Sequence, residues 1–377
     1  MAGLYLHIPF CKQACHYCDF HFSTNQEKKA EMMSAFIQEI ELQKDYLQDE
    51  SITTLYFGGG TPSLLTQFEL SDLMEAIRKN FSVASSTEIT LEANPDDLTK
   101  EKLQILKDAG INRLSIGIQS FDTEVLQFLN RAHDGATALT CVGLARDIGF
   151  KNISIDLIYS IPSQDHLKWA KNINQALALN PNHISSYSLT IEEKTAFGRW
   201  AATGKLKAKD DDFAATQLIM LVDKLAENGY EQYEVSNFAQ SGFQSQHNSS
   251  YWKQKKYLGI GPSAHSYNGN SRQFNISNNH LYLKSLKKNI IPYTIEVLTQ
   301  AESINDYLLT TLRTSWGANL VTLKEDFNFN LMEEHTAYVQ SLLENKLARI
   351  ENETFILTNS GKLLADKIAS DLFVIKA

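Results

Sequence analysis

Leu4-Tyr5-Leu6-His7-Ile8-Pro9-Phe10-Cys11-Lys12-Gln13-Ala14-Cys15-His16-Tyr17-Cys18 is a short apolar run that empties into three cysteines spaced C-x3-C-x2-C. The run has the length and character of a buried strand. The loop after it carries three of the four cysteines in the chain. Three thiolates on one loop can hold three irons of a cubane [4Fe-4S] cluster, and with no fourth cysteine nearby one iron stays open for an exchangeable ligand. Structural zinc normally takes four closed Cys/His ligands, with a second pair well downstream. No such pair follows, although His16 and His21 lie close enough to keep local zinc as the alternative. A disulfide reading leaves an odd thiol, and the first residues do not read as an export signal.

Outward from this strand, to about residue 230, short β-type runs alternate with stretches of helical period. Strands are expected at residues 4–8, 53–57, 88–92, 113–118, 153–158 and 184–189, each followed by a helix. Met33, Phe36, Ile37, Ile40, Lys44 and Leu47 fall mostly on one face of the first helix, and Leu70, Leu73, Met74, Ile77 and Phe81 on one face of the second. Thr66, three residues before Glu69, reads as a capping box. Six βα units in succession imply a parallel sheet with right-handed crossovers, and strands this apolar imply burial on both faces. Periodicity leaves open a doubly wound sheet or a full or partial barrel. The polar residues favour a barrel: the cysteine loop follows strand one, Gly58-Gly59-Gly60-Thr61-Pro62 strand two, Glu92 and Asn94 end strand three, Gln119 follows strand four and Asp156 lies in strand five. Several different strand ends contribute, as at the C-terminal mouth of a (β/α) barrel.

The chain of 377 residues has room for a barrel-sized domain, here 1–235, and a smaller one. Residues 236–300 turn aromatic and polar, and are expected to be irregular structure packed on the barrel. Residues 301–377 run helix, helix, strand pair, helix, an α+β order that resembles a winged helix. With 35 Lys and Arg against 44 Asp and Glu, the net charge of −9 repels phosphate backbones, and the last segment is not strongly basic. Nucleic acid is therefore not the expected partner of that segment, which reads as a packing or docking element. No apolar stretch approaches bilayer-spanning length. The chain reads as cytoplasmic and not as an integral membrane protein.

The spacing C-x3-C-x2-C after strand one, with a glycine-rich loop after strand two, resembles the radical S-adenosylmethionine superfamily. More specifically, Tyr5-x-His7-Ile8-Pro9-Phe10-Cys11, Gly58-Gly59-Gly60-Thr61-Pro62, Gly117-Ile118-Gln119-Ser120-Phe121, Leu129-Asn130-Arg131-Ala132-His133 and Asp156-Leu157-Ile158-Tyr159 resemble the oxygen-independent coproporphyrinogen III oxidase group. The resemblance implies a partial (β/α)6 TIM-like barrel. It also implies a [4Fe-4S] cluster on Cys11, Cys15 and Cys18, and S-adenosylmethionine chelating the open iron. An electron from the cluster, delivered by a reductant, can then cleave that cofactor to a 5′-deoxyadenosyl radical. Tyr5, Gly59, Gly60, Thr61, Glu92, Gln119, Arg131 and Asp156 are implied to line the S-adenosylmethionine site. Their chemistry suits the role: Arg131 can pair with a carboxylate, and Glu92 and Asp156 can accept from ribose hydroxyls or an amine.

Two features depart from the oxidative enzymes of the group. Those carry C-x3-C-x2-C-x-C, whereas Phe20 stands where the additional cysteine would be. His247-Asn248-Ser249-Ser250-Tyr251-Trp252 matches the H-N-x-x-Y-W motif of the group's heme chaperones. Together they imply a heme chaperone that binds heme near His247 and passes it to acceptor proteins. An imidazole can ligate heme iron, Tyr251 and Trp252 offer flat faces, and Lys253, Lys255 and Lys256 suit the propionates. The alternative is a coproporphyrinogen III oxidase or a related radical enzyme acting on a tetrapyrrole. Cys141 shares a helical face with Ala138, Val142 and Ala145 and reads as core, while His265 reads equally as a turn residue or a porphyrin contact.

Overall fold

The computed structural model describes residues 1–375. Six parallel strands form its centre: β1 (Ala2–Ile8), β2 (Ile52–Gly59), β3 (Val83–Ala93), β4 (Arg113–Gln119), β5 (Asn152–Tyr159) and β6 (His183–Ser188), hydrogen-bonded in chain order. All six expected strands are present, within a residue or two at most ends. Side chains alternate across a strand, so each strand has two characters. Leu55, Phe57, Leu91, Leu114, Ile116, Ile153, Ile155 and Ile184 point outward into the main apolar core beneath the helices. The other face carries buried polar groups: Glu88, Thr90, Arg113, Ser115, Ser154, His183 and Ser185. Residues of β2 through β6 line one common cavity, as a sheet curved into a partial barrel requires.

The first two helices, α1 (Lys29–Leu42) and α2 (Gln67–Asn80), follow the expected periodicity. Met33, Phe36 and Ile40 are buried on α1, and Leu70, Leu73, Met74 and Ile77 on α2. α1 ends before Lys44 and Leu47, which lie in the turns that follow it. The Thr66–Glu69 capping box is present in both directions.

Residues 236–300 correct the expectation of irregular structure. After β7 (Glu231–Glu234), this stretch supplies β8 (Asn237–Ala239), β9 (Tyr257–Ile260), β10 (His265–Tyr267), β11 (Ser271–Asn275) and β12 (Tyr293–Val297). β8 and β7 extend the sheet antiparallel beyond β6; β9 pairs parallel with β1 and is followed outward by β10, β11 and β12. The strands are only three to five residues long, and β10 and β11 are mostly polar, so they are weakly marked in the sequence. Between β8 and β9 the short helix Gln246–Trp252 crosses from one edge of the barrel to the other and packs on β1 and β2.

The last segment has its own apolar core, built around Leu308, Leu312, Leu342, Phe355 and Ile368. It carries a small antiparallel sheet of Ala318–Asn319, Thr354–Leu357 and Ala348–Glu351. This is the winged-helix-like α+β order read from the sequence. It meets the barrel through Arg313, which pairs with the buried Glu234, and through Lys253, whose ammonium lies 4.9 Å from the centre of the Trp316 ring.

Candidate functional site

Pro9 and Phe10 lead the chain off β1, and the cysteine loop is then tied down by its backbone. Cys11 N donates to Ser23 O at 3.0 Å, Ser23 N to Pro9 O at 2.9 Å and His16 N to Leu129 O at 3.1 Å. The glycine loop is fastened to the same stretch: Gly60 N donates to Ile8 O at 2.8 Å and Thr61 N to Phe10 O at 2.7 Å. A Cβ on Gly60 would stand 2.7 Å from Phe10 O, and Gly59 sits at φ +103°, so this approach needs glycine at both positions. The N–H groups of Gly59, Gly60 and Thr61 are thus committed to Glu92, Ile8 and Phe10. What the run offers a ligand is its bare surface.

Cys11, Cys15 and Cys18 line one cavity of about 530 Å³ together with Gly59, Gly60, Thr61, Glu92, Gln119, Arg131 and Asp156. Seven of the eight residues expected around S-adenosylmethionine are thereby brought together with the thiols. Tyr5 is the exception. It lines the neighbouring larger cavity, stacks on Tyr56 and donates from its hydroxyl to His7 Nδ1 at 3.2 Å.

The donors around the thiols suit a cluster. Thr61 Oγ1 stands 3.3 Å from Cys11 Sγ and the Arg131 guanidinium 3.4 Å from Cys15 Sγ, the kind of hydrogen bonds to sulfur that hold and tune iron–sulfur centres. Burial pushes the Cys11 thiol up to about 11 and the Cys18 thiol up to about 12, so loading metal must displace their protons. Among the described residues no three His, Cys, Asp or Glu side chains are grouped to hold a single metal ion. The three thiols line the same cavity.

The cavity also holds two half-buried carboxyls, Glu92 and Asp156. Burial, with the neighbouring Asp156 adding, raises Glu92 to about 7, although Tyr56 OH at 2.8 Å and Gly59 N at 3.2 Å donate to it. Burial likewise raises Asp156 to about 6, with Ser115 Oγ at 3.3 Å as a weak donor. Carboxyls held this way have unmet capacity for a cation or hydroxyls. Gln119 reaches the cavity from a strained φ of +64° at a register break between β4 and β5. Arg131 Nη2 donates to Asn94 Oδ1 at 2.6 Å and Gly117 O at 2.7 Å, which leaves Nη1 to the Cys15 sulfur and the Tyr17 hydroxyl.

The sequence reading missed Arg113, Ser115, Ser185, Tyr17 and Asn248, all of which line the cavity. Arg113 and Ser115 are spaced by two within an apolar strand, which was the available signal.

A second cavity of about 1310 Å³ adjoins the first and shares Cys15, Cys18, Asp19, Phe20 and Phe22 with it. Phe20, 73% exposed, stands at the boundary where the enzymes' extra cysteine is missing. Tyr251, Trp252, Tyr257, Tyr267 and Trp200 supply flat faces, and Lys255 and Arg199 supply cations. Lys253 points instead to Trp316, and Lys256 pairs with Glu50 at 2.9 Å.

His247 is the residue near which heme is expected. It lines neither cavity and is 1% exposed. Its Nδ1 stands 2.8 Å from Thr54 Oγ1 and its Nε2 2.7 Å from Tyr251 OH, and the ring stacks on Tyr56 at 4.9 Å. Burial, with the Arg113 charge, pushes the imidazole down to about 3. Both ring nitrogens are used, so in this arrangement His247 anchors the helix and orients Tyr251.

Comparison with known proteins agrees with this geometry. The Radical SAM superfamily model matches residues 5–172. The chain is 36% identical to the heme chaperone HemW of Bacillus subtilis over 372 residues, 98% of each chain. It is 32% identical to HemW of Lactococcus lactis, over 97% of this chain and 95% of that one. Among solved structures it is similar to the coproporphyrinogen III oxidase HemN of Escherichia coli, a radical SAM enzyme, with a TM-score of 0.84 and 25% identity over 99% of this chain and 90% of that one. Barrel, cysteine loop and full-length likeness together show that the chain belongs to the radical SAM superfamily and, within it, to the family of the heme chaperone HemW.

Proposed function

We propose that the protein carries heme to acceptor proteins, with a [4Fe-4S] cluster on Cys11, Cys15 and Cys18, S-adenosylmethionine in the smaller cavity and heme in the larger one. The observation that carries this reading is the shared cysteine loop between two cavities of different character. The helix Gln246–Trp252 spans both, with Asn248 facing the smaller and Tyr251 and Trp252 the larger. When bound, the cluster supplies one-electron chemistry and an open iron. The protein's own part is to hold Cys15 beside Arg131, to present Glu92 and Asp156 to the cofactor's amine and ribose, and to stack aromatic rings on a macrocycle.

If Glu92 pairs with that amine, affinity follows its ionisation. With Glu92 near 7, S-adenosylmethionine binding is expected to strengthen about tenfold from pH 6 to pH 8, because the ionised fraction rises by that factor. Glu92→Gln should bind more weakly and lose this rise, as read by anaerobic calorimetry of the cluster-loaded protein. Equal slopes in the two proteins would remove Glu92 from the binding role.

The fold shared with HemN favours one second reading, oxidative decarboxylation of coproporphyrinogen III, against which Phe20 stands. Two measurements separate them: transfer of bound heme to an apo-hemoprotein, and product analysis after anaerobic turnover with reductant. Transfer without decarboxylated product is expected. Harderoporphyrinogen or protoporphyrinogen IX would overturn a pure carrier role.

A further inference from the structure

We infer that the nitrogen ligand to heme iron is His265, an inference that rests on the heme-carrying reading above. Four histidines line the larger cavity: His7 on β1, His16 in the cysteine loop, His21 beyond it, and His265 at the start of β10. His16 donates from Nδ1 to Phe128 O at 3.0 Å. His7 is fully engaged, donating from Nε2 to His21 O at 2.8 Å and accepting at Nδ1 from Tyr5 OH at 3.2 Å. His21 donates from Nε2 to Asn279 Oδ1 at 2.7 Å. The ring nitrogens of His265 make no hydrogen bond among the described residues, and the residue is exposed to the cavity. His16 and His21 are half-buried with one ring nitrogen bonded, so His265 is the one imidazole of the four that is exposed and has both ring nitrogens uncommitted among the described residues.

Its surroundings hold it in place. The His265 ring stacks on Phe274, its register partner on β11, at 5.7 Å and 28°. The adjacent Ser266 Oγ accepts from Gly259 N at 2.9 Å, so β10 is locked to β9. A ligand on a paired strand, with its ring orientation fixed by packing, is the rigid support that metal ligation favours. The cavity exceeds the roughly 300–1,000 Å³ of pockets that enclose small ligands, as a macrocycle needs. Tyr251 and Trp252 then serve as walls for the porphyrin, and the buried His247 serves as their anchor. Coordination adds one bond, from an imidazole lone pair to ferric iron, and displaces a weak axial ligand such as water.

The test titrates ferric heme, and separately metal-free protoporphyrin IX, into the cluster-loaded full chain under anaerobic conditions. Wild type, His265→Ala and His247→Ala are compared by absorption and by EPR of the ferric heme. His265→Ala is expected to lose the imidazole-ligated signature and to weaken heme, to bind protoporphyrin as wild type does, and to regain the signature when imidazole is added. His247→Ala is expected to keep the signature. An unchanged heme spectrum in His265→Ala, or equal loss of heme and protoporphyrin, would overturn the ligand assignment while leaving heme carriage standing. Failure of the wild type to bind either porphyrin would overturn both.

Discussion

Cys15→Ala is expected to leave a folded protein that takes up essentially no cluster, where the reconstituted wild type takes up about four irons and four sulfides per chain. The effect is all or none because only three thiolates serve the site and each holds its own iron. Two remaining thiolates cannot retain a cubane whose fourth iron already lacks a protein ligand. The fold should survive because the loop is shaped by its backbone and by polar side chains. Gln13 Nε2 donates to Asn130 Oδ1 at 2.8 Å, and Phe197 N donates to His16 O at 3.0 Å, neither involving sulfur. Cys141→Ala is the matched control. That thiol is 1% exposed on the helix Gly135–Ile148, bonded to Ala138 O at 3.4 Å, and lies in the main core. Its loss should leave iron content unchanged. Iron and sulfide analysis with far-ultraviolet circular dichroism decides the matter; full iron in Cys15→Ala would remove that thiol from the cluster.

The contrast between these cysteines shows what a sequence makes legible. The C-x3-C-x2-C spacing is local, so three candidate ligands can be named without knowing the fold. The same holds for the Thr66–Glu69 cap and for the six central strands, whose apolar outer faces show as short runs. Residues joined across long stretches of chain are harder to read. His247 looks like a ligand when read beside Tyr251 and Trp252. The structure instead joins it to Thr54, 193 residues away, and sets its backbone N–H 3.1 Å from Glu88. The edge strands were hidden for a related reason. β10 and β11 are polar and short, and they exist because the neighbouring strand presents open backbone groups, a cause that lies outside their own residues. Tyr5 was expected with the other cofactor-site residues, but which of two adjacent cavities it faces depends on the curvature of the sheet.

Glu39 carries the other large expected effect. It is fully buried on α1 and joins the turn after β9 to the end of β11, the two neighbours of the strand that bears His265. Its Oε2 accepts from Gly261 N at 2.8 Å and Tyr282 OH at 2.5 Å, and its Oε1 from Asn275 Nδ2 at 2.6 Å. Burial raises the carboxyl to about 7 from a reference of 4.5, although all three donors pull the other way. Between those values the folded state holds a proton that the unfolded state has released, so stability falls as pH rises through this window and levels off above it. A gap of about 2.5 pH units at about 1.4 kcal/mol each makes the loss about 3 kcal/mol. Glu39→Gln removes the titration. Its carbonyl can accept from Gly261 and Tyr282, and its amide can face Asn275 Oδ1, an atom with no partner in the native arrangement. The variant should therefore gain on wild type by about 3 kcal/mol between pH 5 and pH 8 in urea unfolding. Glu39→Ala should lose about 3 kcal/mol or more at every pH, because it strands three buried donors at about 1–3 kcal/mol each. A difference between Glu39→Gln and wild type that stays constant across this range would show that the native carboxyl does not titrate there, and that its three donors outweigh its burial.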